Sequence, residues 1–400
     1  MKINPAAKKA FMIGSMCSLS YLAVYVARNI LGAVSPQMIE SGSFTTENIG
    51  TLSSVYFFSY AFGQLINGRI GDKIKSKYMI SLGLIMAGAC NLLFSTISHS
   101  LFISYAAYAL TGYFLSMIYG PMTKVVAENT EPVYATRCSL GYTFSSFFGT
   151  PLAGVLAALM AWQGVFAFSS GMLFIMGSIC FLVFTLYERK GIIEYGKYRR
   201  QKAQGNAIKI LIQHRIIKFT LVAVLSGIVR TTVVFWLPTY LSQYLSFSTE
   251  RAAFIFTIST FVISATTFVA VFLYERLHHN IDRTLLVSFS SSAICFLIVF
   301  FLRHPLLNIV FMVLAIMSSS CAASMLYSRY CPSLRDTGMV SSATGFLDFM
   351  SYMSASISST LFANAVSSIG WGRLILVWFG LMIIGVIVTL PYKQLNSKRN

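Results

Sequence analysis

The chain has 400 residues and a formal net charge of +18, yet only 10% of it is charged, while 56% is hydrophobic and 14% aromatic. A soluble domain carries roughly 25% charged residues, and a mean hydropathy of +0.70 leaves too little polar side chain to face water. A water-soluble fold is excluded, and the solvent implied is a lipid bilayer.

Lys2, Lys8 and Lys9 precede a first apolar run whose end lacks a small-residue cleavage pattern, so it reads as a retained span rather than a signal peptide. Apolar stretches of about 20 residues then predict spans near 11–35, 48–68, 78–97, 101–124, 138–160 and 163–187. After one long polar segment, Glu188 to Arg215, six more follow near 216–243, 251–274, 284–302, 305–328, 338–364 and 372–392. The expected fold class is all-α integral membrane, with twelve transmembrane helices in two pseudo-symmetric six-helix halves. The halves are residues 1–190 and 216–400, joined by a cytoplasmic linker over 191–215. That linker reads as a solvated connector, which anionic lipid could also attract.

Cytoplasmic loops concentrate Lys and Arg. With both termini in the cytoplasm, 25 of the 30 basic residues fall in cytoplasmic segments and only Arg251, Arg303 and Arg373 in outer loops. The basic balance therefore records orientation, and no nucleic acid is expected as a partner. The two basic residues left over, Arg28 and Arg230, lie inside spans. The seven cysteines form no C-x-x-C pair and have no His at ligand spacing, so they read as small core residues. Scattered histidines, lone acids and the lack of a glycine-rich phosphate cradle give neither a catalytic triad nor a metal site. No enzyme, metal or cofactor is expected.

An internal repeat supports the division. Arg28 and Pro36 recur as Arg230 and Pro238, 202 residues on, and F-T-T-E at 44–47 recurs as F-S-T-E at 247–250, a shift of 203. Asp72-Lys73 recurs as Glu275-Arg276, and Gly141-Tyr142 as Gly345-Phe346. This is the pattern of two parallel six-span copies.

Each arginine sits on the first span of its half, eight residues or ~12 Å before a proline near the outer end. A guanidinium at that depth costs at least ~2.5–3.5 kcal/mol, so it persists where it faces a polar cavity and meets an anion. Structural ion pairing is the rival reading, but Asp348 is the only acid deep inside a predicted span, and one carboxylate cannot neutralise two separate arginines. Arginine's planar fork suits a tetrahedral oxyanion. Tyr21, Tyr25 and Arg28 share one helical face, which places two phenols beside the charge, although buried aromatic packing explains either tyrosine as well.

These residues resemble the organophosphate:phosphate antiporters of the major facilitator superfamily. The resemblance rests on Y-x3-Y-x2-R at Tyr21, Tyr25 and Arg28, and on R-x5-W-x-P-T-Y-L from Arg230 to Leu241. It also rests on G-R-I-G-D-K-I-K-S-K from Gly68 to Lys77 and on A-T-G-F-L-D-F-M-S-Y from Ala343 to Tyr352. It implies the major facilitator fold, a central cavity with Arg28 and Arg230 as the phosphate-binding pair, and obligatory exchange by rocking of the halves. In the Gly68–Lys77 loop, Gly68, Asp72, Lys73 and Lys77 fit the superfamily pattern, and Lys75 stands where a glycine is usual. Asp72 and its basic neighbours are expected to gate the cytoplasmic side against span eleven, the alternative for the lysines being orientation alone.

Glycerol-3-phosphate-type members carry further positive charges where this chain has Asn29, Gln64 and a fifth span without histidine. Tyr60 and Gln64, at i and i+4, instead offer neutral groups suited to hydroxyls of a sugar or polyol. Asp348 reads as an arginine partner, a ligand for a positive or hydroxyl-bearing part of the substrate, or a protonation site, with Tyr352 one turn later on the same face. The expected function is exchange of a small phosphate ester for inorganic phosphate by a monomer in the bilayer of the cell inner membrane. The alternatives are a sugar-phosphate sensor signalling to a kinase and a proton-coupled organic-anion facilitator.

Overall fold

The structure, a computed structural model, describes residues 4–97, 100–196, 211–334 and 340–390. Among these residues there is no strand. The first six helices are α1 (Pro5–Glu40), α2 (Thr46–Lys73), α3 (Ser76–Thr96), α4 (Leu101–Asn129), α5 (Pro132–Leu159) and α6 (Trp162–Arg189). Then come α7 (Ile216–Gln243), α8 (Thr249–Arg276), α9 (Ile281–Phe301) and α10 (Pro305–Ser333). The last helical run, Val340–Thr389, is broken at Gly370, whose φ of 76° and ψ of 167° only glycine adopts freely, giving α11 (340–369) and α12 (371–389). Nine stretches among the described residues, this last run counted as one, are long and apolar enough to cross a bilayer.

The repeat is visible in how the chain turns between helices. At the end of α1, Phe44 N–H donates to the Met38 carbonyl at 3.3 Å, and at the end of α7, Phe247 N–H donates to that of Leu241 at 3.2 Å. Thr45 then caps α2 by accepting from Asn48 N–H at 3.2 Å, as Ser248 caps α8 by accepting from Arg251 N–H at 3.4 Å. The F-T-T-E and F-S-T-E motifs are thus the same capped turn used twice.

Both borders of the long connector are tied down. Glu188, at the end of α6, accepts from Lys75 at 2.7 Å and Lys77 at 2.6 Å, and Asp282, opening α9, accepts from Arg215 and Lys218, each at 3.0 Å. This end of the bundle, where α6 ends and α7 begins, is called the connector end below.

Three seams join the first six helices to the last six. Along α1 and α7, Ser35 and Thr239 share a hydrogen bond of 2.7 Å, and a Cβ on Gly32 would sit 3.0 Å from Phe235. Along α5 and α8, Phe147 meets Phe261 with ring centroids 4.6 Å apart, and Gly154 lies against Thr257. Helices α2 and α11 run antiparallel with small residues facing: Gly50 against Ala363, Ser53 bonded to Ser359 at 2.9 Å, and Ser54 to the Ser356 carbonyl at 2.7 Å. Small residues let helix backbones approach closely inside a membrane. Among the described residues, the hydrogen bonds crossing between the two sets run from Gln64–Asp348 and Arg28–Tyr352 near mid-depth out to Ser367–Glu47 at the far end. Among the described residues, the contacts between the two sets concentrate toward the far end and thin out toward the connector end.

Candidate functional site

The α2–α11 seam runs past the level of Arg28 to Phe62 and Phe349, whose ring centres lie 5.3 Å apart. Arg28, on α1, is two turns inward of the Ser35–Thr239 contact, and its guanidinium is enclosed by rings. Its Cζ lies 4.6 Å from the ring centre of Tyr352, 5.3 Å from Tyr60, 5.8 Å from Phe57 and 5.9 Å from Tyr25. Its Nη1 donates to the Tyr352 hydroxyl at 2.7 Å, a bond between α1 and α11. Tyr352 is held in turn by stacking on Phe57 at 6.2 Å and by an edge contact with Tyr60 at 4.9 Å. Ring faces attract a cation without neutralising it, so the positive charge stays available to an anion.

Arg230 occupies a π-helical turn, Ile228–Val233, in the middle of α7. A π-turn accommodates one more residue than an α-turn. Its Nε is buried with no hydrogen-bond partner, and among the described residues Arg230 forms no ion pair. Tyr352, Tyr327, Tyr25 and Arg28 are the charged or ionisable groups near enough to Arg230 to act on its charge.

Asp348, one turn before Tyr352 on α11, accepts a hydrogen bond from the Tyr327 hydroxyl at 3.2 Å, and Gln64 lies within hydrogen-bonding reach of the same carboxylate. Among the described residues, it forms no ion pair with either arginine. Its neighbours in this conformation are a phenol and an amide. Tyr327 itself sits on a second π-turn, Leu326–Tyr330, in α10.

Tyr25, Tyr60 and Tyr352 thus gather around Arg28, and Asp348 with Gln64 beside it lies one turn before Tyr352 on α11. Tyr21 is one step removed: its ring meets Tyr25 at 5.0 Å, Tyr119 at 5.4 Å and Tyr142 at 6.1 Å, forming an aromatic wall beside the charged centre. Asn29, next to Arg28, turns back on its own helix and donates to the Tyr25 carbonyl at 2.7 Å. Of the loop residues, Gly68 is exposed with open space around it, Lys73 is exposed, and Lys77 is buried against Glu188 within the first six helices. The side chain of Asp72 lies outside the described residues.

Sequence reasoning missed Tyr327, Phe57 and the buried Tyr56, which packs on Tyr60. Tyr56, Phe57 and Tyr60 lie within a five-residue stretch of α2, and that density of rings opposite an intramembrane arginine was the available signal. For Tyr327 there was none, because a π-turn leaves no local sequence mark.

A family model described as Major Facilitator Superfamily matches residues 17–359. The chain belongs to the Major Facilitator Superfamily. Among curated relatives, the phosphoglycerate transporter protein of Salmonella typhimurium is 22% identical over 408 residues, covering 95% of this chain and 87% of the relative. The membrane sensor protein UhpC of the same organism is 30% identical over 96 residues, a match covering 24% of this chain and only 22% of the sensor's length. The glycerol-3-phosphate transporter of Bacillus subtilis is 24% identical over 255 residues, 58% of this chain and 57% of that protein. Among solved structures, the D-xylose–proton symporter superposes with a TM-score of 0.73 at 10% identity, covering 96% of this chain and 97% of that one. A bacterial homologue of the human lysosomal transporter Spinster, in an inward-facing and unoccupied conformation, gives 0.73 at 13% identity, with 97% of each chain covered. At such identities the structural likeness establishes the superfamily fold and nothing narrower.

Proposed function

We propose that this protein exchanges a small phosphate ester of a sugar or polyol for inorganic phosphate across a cell inner membrane, as a monomer. The observation that carries the reading is the pair of guanidiniums at mid-depth, Arg28 and Arg230, neither of them ion-paired among the described residues. An uncompensated charge there is costly, and a phosphate dianion offers enough acceptor oxygens for two forks. Relatives named for phosphoglycerate, glycerol 3-phosphate and hexose phosphate transport support the same chemistry.

The mechanism follows from differential affinity in two conformations. The concentration of Lys and Arg near the connector end supports a cytoplasmic position for that end, on which reading this conformation is open inward. An arriving phosphate takes over Nη1 of Arg28 from Tyr352 and draws in Arg230. Tyr25, Tyr60 and Tyr352 add neutral donors, and Asp348 with Gln64 and Tyr327 meets hydroxyls on the remainder of the ester. Neutralised, the two sets of helices can close at the connector end and part at the far end, where the seams are serine bonds and van der Waals contacts. Empty, the charge pair opposes that passage, which makes exchange obligatory. Gly68, Asp72, Lys73 and Lys77 belong to the closing contact on the cytoplasmic side.

The match to UhpC favours a second reading, a sugar-phosphate sensor with the same site. Labelled phosphate uptake into proteoliposomes decides between them. Uptake that requires internal phosphate supports exchange, and a folded protein that binds sugar phosphate without flux supports sensing. Uptake that follows a pH gradient without internal phosphate selects a proton-coupled facilitator with Asp348 titrating.

A further inference from the structure

A cavity lined by none of the residues gathered around the arginines opens at the connector end between α1 and α5. It has a volume of about 720 Å³ and is walled by carbon, with Phe11 and Leu22 on α1 and Phe144 and Phe148 on α5; its mouth carries two cations, Lys8 and Arg137. Lys8 and Arg137 both lie in the first two turns of their helices and are exposed. From Lys8 to Leu22 the groove runs fourteen residues along α1, and from Tyr134 to Phe148 it runs fourteen along α5, each ~21 Å. One leaflet of a bilayer is ~15 Å of hydrocarbon plus its headgroup layer. The groove therefore has the length of one lipid leaflet, with positive charge at headgroup level and apolar walls at chain level.

We propose that this groove binds an anionic membrane lipid, an acyl chain lying along α1 and α5 and the headgroup phosphate held by Lys8 and Arg137. A substrate-sized anion alone would find little here, because the walls beyond the mouth offer few donors. Anionic lipid also predominates in the leaflet that juxtamembrane basic residues face.

The groove begins where the α5–α8 seam ends. Phe148 lines it and its ring centre lies 6.4 Å from Phe261 of α8, the contact at which the two helices part. A chain seated there occupies the space into which α8 descends when the connector end closes. The lipid thus favours the conformation with the connector end open, and lipid composition sets the equilibrium between states. This last step rests on the alternating-access reading, whereas binding itself does not.

The test is native mass spectrometry of the full chain, titrated with phosphatidylglycerol or with phosphatidylcholine of identical chains. Each basic residue near the membrane contributes about a fivefold gain in affinity for anionic lipid, so the double variant Lys8→Gln/Arg137→Gln is expected to lose phosphatidylglycerol about 25-fold while leaving phosphatidylcholine unchanged. Ser15→Trp, which fills the groove, is expected to abolish the tight phosphatidylglycerol site, and Arg28→Gln, which disables the phosphate site, to retain it. Equal affinity of the wild type for the two lipids overturns the proposal. Wild-type phosphatidylglycerol affinity in the double variant or in Ser15→Trp, each shown folded by monodisperse elution, overturns it as well. Because none of these readings requires flux, failure of transport and failure of lipid binding are told apart.

Discussion

Gly50 sits at the tightest point of the α2–α11 seam, and adding a single methyl group there is the sharpest probe of the far-end closure. A Cβ at Gly50 would lie 2.4 Å from Cβ of Ala363 and 3.0 Å from the Ser359 carbonyl oxygen. Carbon atoms in contact sit ~3.5–4.0 Å apart, so the two helices must separate by more than ~1 Å in Gly50→Ala. The neighbouring bonds, Ser53–Ser359 at 2.9 Å, Ser54 to the Ser356 carbonyl at 2.7 Å and Ser356 to the Ser54 carbonyl at 2.9 Å, do not survive that displacement. At ~0.5–1.5 kcal/mol each, their loss disfavours the closed far end by about 1.5–4.5 kcal/mol. That is a shift of roughly ten- to two-thousandfold toward the far-end-open state. Spin labels at Ser43 and Glu250, both exposed at the far end, read the shift as a longer distance population in double electron–electron resonance. Gly120→Ala, where nothing lies within 4 Å of the added carbon, is the control expected to change nothing. An unaltered distance distribution in folded Gly50→Ala would refute the seam as the element that holds the far end closed.

Removing the Tyr327 hydroxyl as Tyr327→Phe unties Asp348 at a cost of about 0.5–1.5 kcal/mol. Competition binding should then show a two- to tenfold loss for a polyol phosphate and none for inorganic phosphate. Equal loss for both would place Asp348 outside the hydroxyl subsite. Lys77 is only 7% exposed beside Glu188, whereas Lys75 is 50% exposed. Lys77→Ala is therefore expected to cost about 1 kcal/mol in detergent unfolding, and Lys75→Ala to leave the midpoint unchanged. The reverse order would show that Lys75 is the residue that holds Glu188. The lipid variants described above form the remaining prediction.

Much of this architecture was legible in the residue pattern. Span positions follow from hydropathy because a bilayer demands about 20 apolar residues per crossing, and the helices begin and end within several residues of those expectations. Arg28 and Arg230 stood out because a guanidinium inside hydrocarbon has to be accounted for. The F-T-T-E repeat marked a turn whose hydrogen bonds recur almost identically at Thr45 and Ser248. What the pattern could not carry depends on packing between distant segments. Tyr327 reaches Asp348 only because a π-turn in α10 rotates it, and the far-end closure depends on which serines of α2 meet which of α11. The break at Gly370 was also blurred, since the predicted gap at 365–371 is helical up to the glycine. The pattern left three readings open for Asp348, and its phenol and amide neighbours come from α10 and α2, which no local spacing could indicate.

The central claim is that two pseudo-equivalent guanidiniums bind one phosphate, and phosphate counterflow in proteoliposomes tests it most directly. Wild type, Arg28→Lys and Arg230→Lys would be reconstituted at equal density and preloaded with unlabelled phosphate. The account predicts that either lysine keeps the charge but loses the bidentate fork, so that labelled phosphate accumulation falls at least tenfold in both variants. Wild-type accumulation in either variant would contradict it, because the phosphate would then be held without that arginine.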